Sequence, residues 1–374
     1  IVLSNFFGAN DKKSFKQSVS AMVIFNTIIG IVLTVISLIF LKPLMRLLDT
    51  PDDIFDDAYK YIAIVIAGML ATICYNMCAG FMRAVGNSKT PLYFLIMSSL
   101  LNLLLDIFLV IVIPMGIAGT AAATVIAQGI SAVLSIIYIV KKYKNELPGK
   151  ESLIPDKNIF GEMITAGLSM GLMNSVFSIG SVIMQRAINA LGTDIITAHT
   201  ASRRIFELLM IPMATLANAN STFVGQNYGA KKLDRIRISN RNMILTEFAW
   251  SGISLLITFT SGASFAKLLT GTENSAIIEN AVMNLKASVA VFCPLGILFV
   301  TRTAMQAMGH KILPVLSSGI ELTVKLISAI WIVPAKGYTA VIFTEPSSWV
   351  LCAVFLGVFY LTIGKQKDAK HTAS

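Results

Sequence analysis

The sequence predicts an all-α polytopic membrane protein, with ten of twelve transmembrane helices arranged in two pseudo-symmetric six-helix lobes. Three observations predict it. The 374 residues are 55% hydrophobic and only 13% charged, at a mean hydropathy of +0.74. Ten apolar runs reach the roughly 20 helical residues needed to cross hydrocarbon. Short motifs recur at a nearly constant offset of 219 to 223 residues. Soluble domains average about 25% charged residues, so a chain this apolar has too little polar surface to face water. Lipid is the solvent that suits it.

The spans fall near residues 18–41, 61–82, 91–113, 117–140, 159–185, 195–225, 243–266, 282–305, 314–333 and 339–363. Backbone polar groups cannot go unpaired in lipid, so these runs are helices. No run alternates polar and apolar residues as a membrane β-strand would. The first run is too long for the apolar part of a signal peptide and has no cleavage site after it. Thr50-Pro51-Asp52-Asp53 provides an N-cap, a first-turn proline and acids for the helix dipole ahead of the second span. Thr90-Pro91 does the same for the third.

The net charge of +10 follows membrane topology rather than nucleic-acid binding. Alternate loops carry 19 and 6 Lys+Arg. The richer set marks the cytoplasmic side by the positive-inside rule. That expectation places the chain in the inner (plasma) membrane as a multi-pass protein, both ends cytoplasmic, with the acidic 42–60 loop outside. Cys74, Cys78, Cys293 and Cys352 all lie in apolar runs and read as small buried hydrophobes. His199, His310 and His371 are scattered. No phosphate loop, dinucleotide fingerprint, nucleophile elbow or HExxH helix is present, so no enzyme activity, metal or cofactor is expected.

The repeat organises the chain. Gly8-Ala9 recurs as Gly229-Ala230, and Met82-Arg83-Ala84-Val85-Gly86 as Met305-Gln306-Ala307-Met308-Gly309. Pro91 recurs as Pro314, and Thr120-Ala121 as Thr339-Ala340. The offset carries each span onto the one six later, so both halves face the same way, as in a parallel repeat. The N-lobe then occupies 1–141 with four spans, a cytoplasmic linker 142–158, the C-lobe 159–363 and a cytoplasmic tail 364–374. Spans 159–185 and 195–225 have no upstream partners, and Ile1-Val2-Leu3 reads as the tail of one. Two helices, roughly 60 residues by this offset, are expected upstream.

Ionisable groups within a span are costly and usually functional. Asp106 lies deep in an apolar run with Asn102 four residues before it, on one helix face. A carboxyl group there can take up and release a proton, or coordinate Na⁺ with an amide oxygen beside it. The plainer alternative is a structural carboxyl bonded to Asn102. Thr124 in the next span can add a hydroxyl. Glu321 and Lys325, at i,i+4, are either a self-neutralising pair or cavity-lining groups. Glu345 precedes Pro346, where a helix break would open a cavity. Lys286, Arg302, Arg203, Arg204 and Glu207 read as side chains snorkelling to interfaces.

Several stretches together carry a family resemblance. They are Phe7-Gly8-Ala9-Asn10-Asp11, the run from Gly80 to Pro91, Leu101 to Asp106, Gly116 to Thr124, and Val224 to Ala230. The chain resembles the multidrug and toxic compound extrusion (MATE) family of cation-coupled efflux transporters over essentially its whole length. The resemblance implies a twelve-helix fold with a central cavity, alternating access, and exchange of H⁺ or Na⁺ for organic, often cationic, compounds by a monomer. It implies coupling roles for Asp106, Asn102 and Thr124, with a further acid in the first helix of the family's plan. The C-lobe acids of Na⁺-coupled relatives are not evident in span 159–185, where Asn174 and Gln185 stand as candidates for lining a cavity. Two other readings remain: a lipid-linked oligosaccharide flippase of the same superfamily, using Lys286, Arg302 and Lys325, and a membrane-embedded enzyme or channel.

Overall fold

The computed structural model describes residues 1–47 and 50–371, and the described residues are helical almost throughout. In chain order the helices are α1 (Val2–Gly8), α2 (Lys12–Leu47), α3 (Asp52–Ala67), α4 (Met69–Ala84), α5 (Lys89–Ile107) and α6 (Ile117–Lys142). There follow α7 (Lys157–Asn189), α8 (Thr193–Gly229), α9 (Leu233–Thr270), α10 (Ser275–Ala290) and α11 (Phe292–Ala307). The last are α12 (Ile312–Ile327), α13 (Val333–Lys336) and α14 (Tyr338–His371). Two compact units result, one over Val2–Ile164 and one from Thr165 onward together with Ile1.

Among the described residues, seven helices are individually long and apolar enough to span a membrane, and counting each of two bent pairs as one span brings the number to nine. Apolar side chains such as Leu104, Ile111, Leu256 and Leu268 stand exposed along them. A surface of that kind is stable only against lipid or a partner. Two expected spans are broken. The second is α3 plus α4, bent by 41° at Gly68, and the eighth is α10 plus α11, bent by 50° at Val291. The sixth, α8, is a 37-residue helix that does not reach the apolarity of the others. Arg203, Arg204 and Glu207 lower its average; Arg203 pairs with Glu207 on the same helix and with Glu345 of α14.

The helix starts also differ from expectation. Thr50 does not cap α3; its hydroxyl donates to Met45 O at 2.8 Å, and Pro51 takes the cap position. The third span starts at Lys89, ahead of Thr90, because Asn87 ties the turn. The Asn87 amide donates to Thr90 Oγ1 at 3.0 Å and to Tyr138 at 3.1 Å, and its carbonyl accepts from Thr90 N at 3.2 Å. Asp11 Oδ1 caps α2 by accepting from Ser14 N at 3.0 Å. That bond holds its carboxyl below the usual carboxylate range.

The two units repeat one set of backbone devices. Two residues past the end of both α1 and α8 stands a residue with positive φ, Asn10 at 56° and Lys231 at 58°. Gly86 and Gly309 both sit at 84°, and Gly116 and Gly337 at 58° and 60°. In each unit the helix before the last of these glycines widens into a π-turn, Phe108–Val112 and Ser328–Ile332. The duplication is therefore written in backbone geometry more plainly than in side-chain identity.

The bend at Gly68 depends on space. Its φ of −81° is open to any residue. A Cβ there would lie 2.2 Å from Val125 Cγ2 and 2.5 Å from Cγ1. Val125 is β-branched and cannot rotate freely away. Gly68→Ala is expected to cost about 1–3 kcal/mol by overpacking. Adding Val125→Ala should recover most of it, read as thermal unfolding in detergent. Equal losses in the single and double variants would show that the bend needs glycine's backbone freedom instead.

Candidate functional site

In the first unit, α5 and α6 run antiparallel. Asn102 Nδ2 donates to Thr124 Oγ1 at 3.3 Å, and Ser131 Oγ donates to Phe94 O at 3.3 Å. These bonds fix a register that puts Asp106, one turn past Asn102, level with Thr120. Asp106 is half-buried, and its Oδ1 is sealed from solvent with no hydrogen-bond partner. The Thr120 and Thr124 hydroxyls are turned to their own helix, donating to Ile117 O at 2.8 Å and Thr120 O at 3.1 Å. Asn102 and Thr124 are thus joined directly, while Asp106 keeps an acceptor oxygen unused. A π-turn begins two residues after Asp106. Such wide turns loosen the helix ladder and recur at functional sites.

In the second unit a chain of alternating charges crosses four helices. Arg302 of α11 places Nη2 3.9 Å from Glu321 Oε2 of α12. Lys325, one turn on, lies with Nζ 3.1 Å from Glu321 Oε1 and 3.4 Å from Glu345 Oε1 of α14. Arg203 of α8 donates from Nη1 to both Glu345 oxygens at 2.9 Å, and from Nε to Glu207 at 3.0 Å. Side chains of Lys325 and Glu321 are only 1% and 4% exposed. Each such ion costs several kcal/mol to desolvate, so alternation of sign is what makes the chain tolerable. The Lys325–Glu321 contact is an ion pair without hydrogen-bond alignment. Gly180 of α7 makes room for the lysine stem, since a Cβ there would lie 2.9 Å from Lys325 Cδ. The Phe177 ring lies 4.3 Å from Lys325 Nζ and adds a cation–π contact.

Two cavities flank this chain, of about 340 and 380 Å³. Arg203, Phe206 and Glu345 line both and form their common wall. Gln185 lines the smaller, bonded to Asn189 at 2.8 Å, together with His199, Glu207 and Asn284. Asn174 and Glu321 line the larger, with Arg302, Gln306 and the face of Trp349. Lys325 lines neither, being enclosed behind the two glutamates. Glu345 reaches both cavities without a helix break, because α14 runs continuously through Pro346.

Arg203 and Arg302 are not snorkelling side chains but members of this internal chain, a correction to the sequence reading. The link from Arg203 to Glu345 spans 142 residues, so no local spacing announces it, whereas Glu207 lies at the helical i,i+4 position. Glu247 of α9 is a further buried carboxylate, which the sequence reading does not reach. It is 0% exposed, neither carboxylate oxygen is hydrogen-bonded, and its Cβ would lie 2.7 Å from a Cβ added at Gly296. It lines neither cavity.

The two sites occupy the same repeat positions. Asn102 stands sixteen residues after Gly86, and Lys325 sixteen after Gly309. Thr124 stands eight after Gly116, and Glu345 eight after Gly337. The Asn102–Thr124 bond of the first unit is therefore the positional counterpart of the Lys325–Glu345 pair in the second.

Many apolar helices, π-turns beside polar groups inside spans, and cavities walled by buried charges define a multi-span membrane protein with polar sites between its helices. The MatE family model matches residues 1–108 and 169–331. The chain belongs to the MATE family of multidrug efflux transporters. It is 26% identical over 340 residues to the probable multidrug resistance protein YoeA of Bacillus subtilis (strain 168), covering 88% of this chain and 71% of that one. It is 22% identical over 357 residues to the multidrug export protein MepA of Staphylococcus aureus (strain N315), covering 94% and 77%. A crystal structure of a MATE protein in the bent conformation superposes with a TM-score of 0.91 at 18% identity, over 100% of this chain and 83% of that one.

Proposed function

We propose that this protein exports small organic compounds, cationic ones included, in exchange for inward-moving H⁺ or Na⁺ by alternating access. One observation carries the reading: Asp106 holds an unpartnered, solvent-sealed carboxylate oxygen inside an apolar helix, beside the Asn102–Thr124 bond. A group placed there at such cost is expected to gain and lose a cation. The multidrug export protein MepA and the probable multidrug resistance protein YoeA, to which the chain is similar, support the substrate class. Apolar and methionine-rich cavity walls, from Met170, Met173 and Met210, suit varied organic bodies.

The charge asymmetry of the loops supports a topology with both described ends in the cytoplasm. Both sites are built within one chain, which supports a monomer as the working unit. The two-lobe division is read as an N-lobe over 1–141, a linker 142–158 and a C-lobe over 159–363. The flippase alternative has less support. Of its three basic residues Arg302 lines the larger cavity, Lys325 lines neither of the two, and Lys286 lies over the Phe259 ring at 4.8 Å.

The test is reconstitution of the protein in liposomes with ethidium as cargo. Export is expected under an imposed pH or Na⁺ gradient and is expected to stop when ionophores collapse both. Export that persists with both gradients gone would overturn the reading.

A further inference from the structure

We propose that the larger cavity of the second unit is a binding site for amphipathic organic anions, whose acid group pairs with Arg302. The proposal takes from the transport reading only that a cavity here serves substrate. The geometry of the charge chain carries it.

Along that chain the cations Arg203, Lys325 and Arg302 alternate with Glu345 and Glu321, so the inner five groups hold one positive charge in excess. Glu207 balances the total, but it sits at the far end, 54% exposed and on the smaller cavity. The excess is not shared evenly. Arg203 binds both oxygens of Glu345, and Lys325 touches two carboxylates. Arg302 has only the long 3.9 Å approach to Glu321. Its Nε and Nη2 are buried and make no hydrogen bond, while its side chain is 12% exposed and lines the cavity. A guanidinium with so little countercharge suits an anionic acid group at its cavity-facing edge. Glu321 does not neutralise it, because Lys325 competes for the same carboxylate.

The rest of the cavity fits the remainder of such a ligand. Asn174, Thr303 and Gln306 supply neutral polar atoms, and Phe177, Phe299 and Trp349 supply aromatic wall. A volume near 380 Å³ suits a compound of two to four fused rings with a short acidic arm. An organic cation placed there would meet the under-neutralised Arg302 and lose affinity. The expected preference in this cavity is thus opposite to the cationic preference proposed for transport as a whole, which makes zwitterions with separated charges natural cargo.

The test uses purified protein in phosphatidylcholine nanodiscs, with pyrenebutyrate, its methyl ester and pyrenebutylamine as matched probes. Binding is read as energy transfer from tryptophan to pyrene above empty nanodiscs. The acid is expected to bind saturably and at least about tenfold more tightly than the ester or the amine, as befits one charge-assisted pair. Arg302→Gln should erase that preference, and Arg302→Lys should keep part of it. Asn174→Asp adds an anion at an exposed position and should reverse the order of acid and amine. Equal binding of acid and ester to the native protein overturns the site, as does a preference that survives Arg302→Gln. If that variant fails to fold, an unchanged ratio in Asn174→Asp overturns it instead. Loss of ion-driven export with this binding intact would count against the transport reading and leave the site standing.

Discussion

Asp106→Asn is expected to reduce gradient-driven export to background while the protein still inserts, folds and binds cargo. Asparagine keeps the shape and one acceptor oxygen, so packing around α5 changes little. It cannot carry an exchangeable proton, and it offers Na⁺ a neutral amide in place of a full negative charge. Nothing hydrogen-bonded is lost at Oδ1, which has no partner to lose. The stability change should therefore stay within about 1 kcal/mol, in the range of an ordinary substitution. Thr124→Val is a graded companion. It removes the acceptor for Asn102 Nδ2, a bond worth about 0.5–1.5 kcal/mol, and should slow export only several-fold. Dye efflux from liposomes under imposed pH or Na⁺ gradients reads both, with melting temperature as the control. An Asn variant that exports dye uphill at the native rate would remove Asp106 from the coupling step.

That site was legible in the sequence because polarity inside an apolar run is itself the signal. Asp106, Asn102 and Thr124 stand out in the α5 and α6 runs, and the i,i+4 spacing puts two of them on one face. Lys325 and Glu321 were legible as a pair for the same reason. The larger chain was not, because its links are tertiary. Nothing near Arg203 points to Glu345, and nothing near Arg302 points to Glu321. For a lone arginine in a helix, interface snorkelling and internal pairing look alike from sequence. The bends at Gly68 and Val291 were hidden for a related reason. Both lie within continuous apolar runs, and the Gly68 bend shows itself only through the Val125 side chain packed against it. Pro346 misled in the other direction. A proline inside a membrane helix need not break it when neighbouring helices hold the segment, and α14 packs with α10, α11 and α12. The duplication was visible in four short motifs, yet its best markers are the positive-φ pairs, which depend on backbone angle rather than residue type.

Lys325→Met is expected to be the most destabilising single change in the second unit, by about 3–5 kcal/mol, because it breaks a buried ion pair and leaves its partners behind. Glu345 would still have Arg203, but Glu321 would retain only Arg302 at 3.9 Å. Methionine is close in volume and fits the space kept open at Gly180, so the loss is electrostatic rather than a cavity effect. Adding Glu321→Gln removes the stranded carboxylate and should recover part of the stability, the remainder being the cost of leaving Arg302 without its carboxylate at 3.9 Å. Thermal unfolding of the two single variants and the double variant in detergent forms a double-mutant cycle, and a coupling well above about 1 kcal/mol is expected for residues in contact. Additive effects would mean that the two charges are held independently, and the continuous chain would fall with them. The counterpart bond in the first unit joins two neutral groups at 3.3 Å and should couple by only about 1 kcal/mol. One pair of repeat positions thus carries a locked charge pair in one half and a weak neutral bond in the other. A weak bond beside an unpartnered carboxylate leaves room for an ion to come and go, whereas the locked pair makes the second half suited to holding cargo against a fixed wall.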